Sequence, residues 1–189
     1  MKVLKMLVFT TILLLPLTGC IPPAMLKKSS ESGVKEPTIL KSPDGQTQVT
    51  IPTGWKEDKT LHEEAVIQAR DVASEVCVLV FTESKDDFDE MTVDKYSELI
   101  RSHTMEAIKS PQLSSPSRLT INGYPALQYE IRGSVDNVKL VYLQVAVESA
   151  QSFHQIVTWT TPSLFEKNRS QMESVIASFK ETVPADQSK

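Results

Sequence analysis

The chain of 189 residues predicts an α+β fold, an α-β-α sandwich with a mainly antiparallel sheet. Three observations predict it. Residues 75–82 alternate apolar side chains on both faces, as a strand covered on both sides must. Residues 92–110 and 163–179 carry apolar positions every three or four residues, which gives two amphipathic helices. Between those helices the strand candidates are joined by tight turns, and short connections make antiparallel neighbours rather than crossovers. No internal repeat is present.

The first element is a targeting segment. Lys2 and Lys5 precede an apolar run from Met6 to Leu17 that is shorter than the roughly 20 residues a membrane-spanning helix needs. A charged start, a short apolar core and a small-residue end describe a secretory signal. The end, Leu17-Thr18-Gly19-Cys20, resembles the lipobox of bacterial lipoproteins. The resemblance implies that residues 1–19 are removed and that Cys20 is the lipidation site, its sulfur carrying a diacylglycerol. Two or three acyl chains, each methylene partitioning with roughly 0.8 kcal/mol, hold a protein durably on a membrane. Residue 21 is Ile, where the same resemblance associates Asp with inner-membrane retention; an outer-membrane, periplasmic-face location is therefore expected in a Gram-negative host. Residues 20–38 are the lipidated N-terminus and a tether rich in Pro, Ser and Lys.

The body spans 39–183. Residues 38–41 and 48–51 read as short strands around the Pro43-Asp44-Gly45 turn. Segment 65–70 is a further strand, joined to 75–82 near residues 71–74. Thr92 is a suitable N-cap for a helix over 92–110, with Asp94 in its first turn and Pro111 after its end. Val93, Tyr96, Ile100, Thr104 and Ala107 define its inner face. Residues 117–121 and 124–131 flank Asn122-Gly123, a strong hairpin signal because both positions tolerate positive φ. A second turn is expected at 133–137, then strands at 138–148 and 153–160. Ser163 and Glu166 have capping-box form, ahead of a stripe of Phe165, Met172, Val175, Ile176 and Phe179. Cys77, Leu79, Val141, Val145, Phe165 and Phe179 are expected in the core. The residues from 184 onward read as a disordered tail.

Gln48-Val49-Thr50-Ile51-Pro52-Thr53-Gly54-Trp55 resembles the first strand of PsbP-like domains. Ile121-Asn122-Gly123-Tyr124-Pro125-Ala126 is similar to their central hairpin, and the segments 153–159, 163–166 and 178–180 to their final strand and helix. The resemblance covers residues 40–182. It implies an α-β-α sandwich and a family that includes the photosystem II extrinsic protein, a Ran-binding nuclear protein and bacterial lipoproteins of the DcrB type. These share no chemistry, so fold alone does not choose a function.

Twenty basic against 24 acidic residues give −4, which excludes a general nucleic-acid-binding surface. Loss of Lys2 and Lys5 leaves −6, so the lipid rather than the protein surface supplies membrane affinity. With Cys20 lipidated, Cys77 has no partner for an intramolecular disulfide. Its place among valines makes it an inert core thiol rather than a nucleophile. There is no G-x-S-x-G elbow and no glycine-rich phosphate loop. His103 and Glu106 sit one turn apart and would present an imidazole and a carboxylate together, but two ligands make no tight metal site. His62, with Glu63 and Glu64, reads as a polar connection, and His154 as a packed or hydrogen-bonded ring. Asp86, Asp87, Asp89 and Glu90 offer oxygens for Ca²⁺ without the glycine and spacing of an EF-hand loop, so a solvated loop is the simpler reading. Trp55 and Trp159 either close core edges or line a groove.

The expected function is a membrane-anchored envelope lipoprotein, not an enzyme and without a cofactor, that binds or helps assemble another envelope protein. The alternative is a small-molecule or metal-ion binding lipoprotein. Anchoring is directly testable: Cys20→Ser should release the protein in soluble form or leave the signal uncleaved. A processed, wild-type-sized band still fractionating with membranes would refute it.

Overall fold

The computed structural model describes residues 36–182. The signal segment, Cys20, the tether through residue 35 and the tail lie outside the described residues. Thr38, at the end of the expected tether, already pairs with Ile51 as the first residue of the first strand.

The strands are β1 (Thr38–Lys41), β2 (Thr47–Ile51), β3 (Lys56–Glu57), β4 (Ile67–Asp71) and β5 (Val76–Ser84), followed by helix α1 (Val93–Ala107). Then come β6 (Lys109–Leu113), β7 (Ser117–Ile121), β8 (Tyr124–Val135), β9 (Val138–Glu148) and β10 (Ser152–Thr160). Helix α2 (Pro162–Ala177) and β11 (Lys180–Glu181) end the described chain. The main sheet is eight-stranded, in the order β3-β4-β5-β10-β9-β8-β6, with β7 also on β8; a small sheet runs β1-β2-β11. Every pairing is antiparallel.

The two helices cover opposite faces. Strand register puts Val78, Val80, Val141, Leu143, Val145 and Ile156 on one face, where Phe165, Met172, Val175 and Ile176 of α2 close over them. The alternate positions Leu127, Ala146 and Phe153 meet Val93, Tyr96 and Ile100 of α1. Tyr96 stacks on Phe153, ring centroids 4.9 Å apart. This is the expected sandwich, with one difference. On β5 the valines of the α2 face are fully buried, but Cys77 opposite is only half-buried because α1 lies over β8, β9 and β10 instead.

Helix α1 begins as its sequence dictates. The Thr92 Oγ1 accepts from the Lys95 N–H at 3.4 Å, and Glu148 accepts from the Val93 N–H at 2.8 Å. It ends three residues early, at Ala107, which is exposed rather than inward. Pro111 disfavours helical backbone in the residue before it, and Ser110 takes a φ of 53°. The chain turns at Ile108 into β6, a strand hidden by the helical pattern. Pro111 is harmless there because β6 is the outermost strand.

The second hairpin is also tighter than expected. Its turn is Asp136-Asn137 alone, both at positive φ (50° and 66°), and β8 runs on through Gly133. Gly133 is a close-approach residue: a Cβ there would stand 2.1 Å from the Ile108 Cγ2. At α2 no capping box forms; Thr161 is the N-cap and Pro162 occupies the first turn, which its fixed φ and missing N–H suit. The inward stripe of α2 is as expected, with Asn168 added and its amide donating to the Ser74 carbonyl at 2.8 Å. The hairpin residue Asn122 reaches across to the carbonyls of Ala177 and Phe179, tying the β7–β8 turn to the end of α2.

His154 joins the two sheets. Only 1% exposed, it meets the Thr82 hydroxyl at 3.0 Å through Nδ1 and the Ser149 hydroxyl at 3.2 Å through Nε2. Ser149 donates to Glu181 of β11 at 2.8 Å, and the imidazole lies 4.8 Å from the Phe179 ring. Burial pushes its pKa down from 6.5 to about 4, outweighing the Glu181 carboxylate at 3.6 Å.

Two outcomes follow from this packing. Gly133→Ala should cost about 1–3 kcal/mol in urea unfolding, and most of that cost should disappear in an Ile108→Ala background, the Lys109 carbonyl at 3.1 Å keeping the remainder. An additive double variant would disprove the close-approach argument. Between pH 6.5 and 4 the unfolded chain protonates His154 while the folded chain resists, so stability rises with pH across that window. The term is complete above the unfolded pKa and falls by up to about 3 kcal/mol toward the folded one. His154→Gln should flatten the slope of stability against pH there; an unchanged slope would count against the neutral buried ring.

Candidate functional site

A pair of clefts lies on the α2 face, where the sheet runs past the helix. The length of β8 creates them. Strand alternation puts Glu130, Arg132 and Ser134 on that face, and β6 adds Lys109 and Gln112 beside them. The two clefts adjoin. One, of about 230 Å³, lies between Gln112, Ser114, Glu130 and Arg132. The other, of about 270 Å³, is bounded by Lys109, Ser110, Arg132, Ser134, Lys139 and Pro162.

A charge cluster separates them. Arg132 donates from Nε to the Glu130 Oε1 at 2.7 Å, and Arg169 of α2 donates to Oε2 at 2.8 Å. Partial burial works to raise the Glu130 pKa, but the hydrogen bonds from Arg169 and Arg132 overcome it and hold the carboxyl below its ordinary value. Both guanidinium groups also lie near the Phe165 ring, 5.2 Å and 4.3 Å from its centroid, which fixes them against the helix. Arg169 further pairs with Glu166 and Glu173 at 3.6 Å and 3.7 Å. The arrangement presents fixed charges and donors on an open surface.

The residues singled out from sequence are dispersed. Cys20 lies outside the described residues. Cys77 is unbridged and half-buried, and burial pushes its thiol up to about 11, far from a thiolate nucleophile at neutral pH. His103 and Glu106 are both exposed on the outer side of α1. His62 lies edge-on to Phe81 at 5.0 Å, its backbone N–H held by the Gln68 side chain at 2.9 Å, so it anchors the connection before β4. His154 is the sheet-joining residue above.

In the acidic segment, Lys85–Asp87 forms a single 3-10 turn capped by Ser84, and Phe88 turns inward against Tyr96 and Phe153. Asp86, Asp87, Asp89 and Glu90 are exposed. No three His, Cys, Asp or Glu side chains among the described residues group closely enough to hold a metal ion. Trp55 is a core residue beside Val49 and Ile51, not a groove wall. Trp159 is half-buried beside Tyr142, centroids 6.3 Å apart, in the part of the sheet that α1 leaves open. Burial pushes the Tyr142 phenol up to about 12.

Sequence reasoning missed the Arg132 clefts. Their cations come from three strands, one of which begins inside a helical pattern. The available signal was the Ser-Pro pair at Ser110 and Pro111, which marks a chain break.

No family profile matches this chain, and no curated protein matches it in sequence. Among solved structures, it is similar to the cyanobacterial PsbP of Synechocystis (13% identity, TM-score 0.60), covering 83% of this chain and 99% of that one. It is also similar to LpqN, involved in cell envelope biogenesis of Mycobacterium tuberculosis (12% identity, TM-score 0.55), covering 78% and 91%. The Ran-binding protein Mog1p of Saccharomyces cerevisiae is a third (9% identity, TM-score 0.53), covering 77% and 95%. No helix among the described residues is long and apolar enough to cross a membrane. At these identities the likeness speaks for fold alone, and with two helices flanking a mainly antiparallel sheet the chain has a PsbP-like α+β fold.

Proposed function

We propose that this chain is a lipid-anchored envelope protein that acts by binding, with another envelope protein as partner, and not by catalysis. The observation that carries the reading is the structural employment of its reactive side chains. His154 is a neutral buried junction, Cys77 a raised-pKa thiol, and His62 a loop anchor. The developed surface around Arg132 and Arg169 is open and charged, and its clefts fall below the roughly 300 Å³ at which pockets enclose most of a drug-sized ligand. Such a surface suits a partner chain, where arginines are enriched.

The names of the fold neighbours lend support: one binds Ran and another is involved in cell envelope biogenesis. Leu17-Thr18-Gly19-Cys20 supplies the anchor, and Ile21 favours the outer membrane of a Gram-negative host. Crosslinking in intact envelopes, followed by mass spectrometry, should recover one dominant protein partner. Arg169→Glu, which reverses a half-buried charge of the cluster, should reduce that crosslink at least about tenfold, the equivalent of a 1.4 kcal/mol loss, at an unchanged amount of folded, anchored chain. Recovery of lipid-anchored chain with no protein crosslink above background would refute the reading.

A further inference from the structure

The 270 Å³ cleft has a chemistry that partner docking does not explain. Lys109, Ser134 and Lys139 occupy directly paired positions on β6, β8 and β9, so their side chains form one row on the α2 face. Arg132 stands two residues along β8 on the same face. Lysines on either side of a single serine repel each other, and neither forms an ion pair among the described residues. In a chain of net charge −4 this concentration of cations is a cost that an anion would turn into a gain.

The rest of the lining opposes no charge to these cations. Ser110 and Gln112 add a hydroxyl and an amide, Leu140 and Pro162 form apolar walls, and no carboxylate lines the cleft. On β8 the acid beside Arg132 is Glu130, already shared between Arg132 and Arg169. Ser110 enters the cleft through the irregularity in β6, at a φ of 53° that a serine rarely adopts. Pro162 closes one side, placing the positive end of α2 there, with no side-chain cap and no acid in its first turn.

We infer that this cleft binds a phosphate ester, with Lys109, Arg132 and Lys139 balancing its charge and Ser110 and Ser134 donating to its oxygens. Donors converging from three strands suit a tetrahedral oxyanion better than a planar carboxylate, which one arginine fork satisfies. The ester is a small phosphorylated molecule or the headgroup of a phospholipid; the chemistry at the cleft is common to both. This inference shares Arg132 with the partner reading above but does not require a protein partner.

The test uses the full chain in uncharged detergent micelles, titrated in a calorimeter at fixed ionic strength. The probes are inorganic phosphate and glycerol 3-phosphate, followed by micelles doped with phosphatidylglycerol. Saturable phosphate binding is expected, weakened at least about tenfold by the double variant Lys109→Gln, Lys139→Gln and measurably by Ser134→Ala. All three positions are exposed or half-exposed, so these variants should keep the parent melting temperature. Phosphate displaced by phosphatidylglycerol identifies the headgroup as the source; glycerol 3-phosphate bound without such displacement identifies the soluble ester. Binding that the variants leave unchanged, or that acetate matches, overturns the inference. So does an acidic peptide that binds tighter than phosphate and is equally sensitive to the variants, since the cleft would then belong to a protein. Retention of the envelope crosslink by the lysine variant separates failure here from failure of the partner reading.

Discussion

The pairing of β5 with β10 is the constraint on which the remainder of this fold rests. It joins Val76–Ser84 to Ser152–Thr160, segments far apart in sequence, and makes one sheet out of two halves. On the N-terminal side β3 and β4 attach only through β5; on the other, β9, β8, β6 and β7 attach only through β10. Both strands are apolar on alternate faces, so the seam brings two buried surfaces into register at once. Val80 opposite Ile156 serves the α2 core, and the neighbouring register positions serve the face toward α1. A slip of one residue would exchange the two faces and bury His154 among the wrong neighbours.

That two-sidedness explains why so much of the fold is legible in the sequence. Tight turns with positive-φ residues, such as Asn122-Gly123, leave strands no alternative to antiparallel pairing. The long alternation in β9 marks both of its faces by itself, and the α2 stripe names its own core. The departures have one origin. Where two local rules compete, tertiary contact decides. Residues 108–110 continue a helical pattern, but Pro111 and the space over Gly133 favour a strand. Gly133 itself looks like a turn residue by type and proves to be a clearance beneath Ile108.

The surface around Arg132 is not legible for the same reason. No local pattern links Lys109, Arg132, Lys139 and Arg169. They meet because β6 folds back onto β8 and because α2 crosses that face. Two of the three histidines, His62 and His154, serve structure, while His103 stands exposed on α1. His154 is the clearest case: its ring is placed by a seam formed through long-range pairing, and its protonation opposes folding.

The bond between Asn122 and the end of α2 has a consequence for how this chain reaches its native state. The carbonyls of Ala177 and Phe179 are completed by a side chain more than fifty residues earlier. The β7–β8 hairpin is local and can close within microseconds, whereas the end of α2 must wait for that turn to arrive. Closure of so long a loop places the last helix among the late events of folding, in a topology already weighted toward distant contacts. The hairpin, formed early, thus stands as a ready receptor onto which the end of α2 fastens.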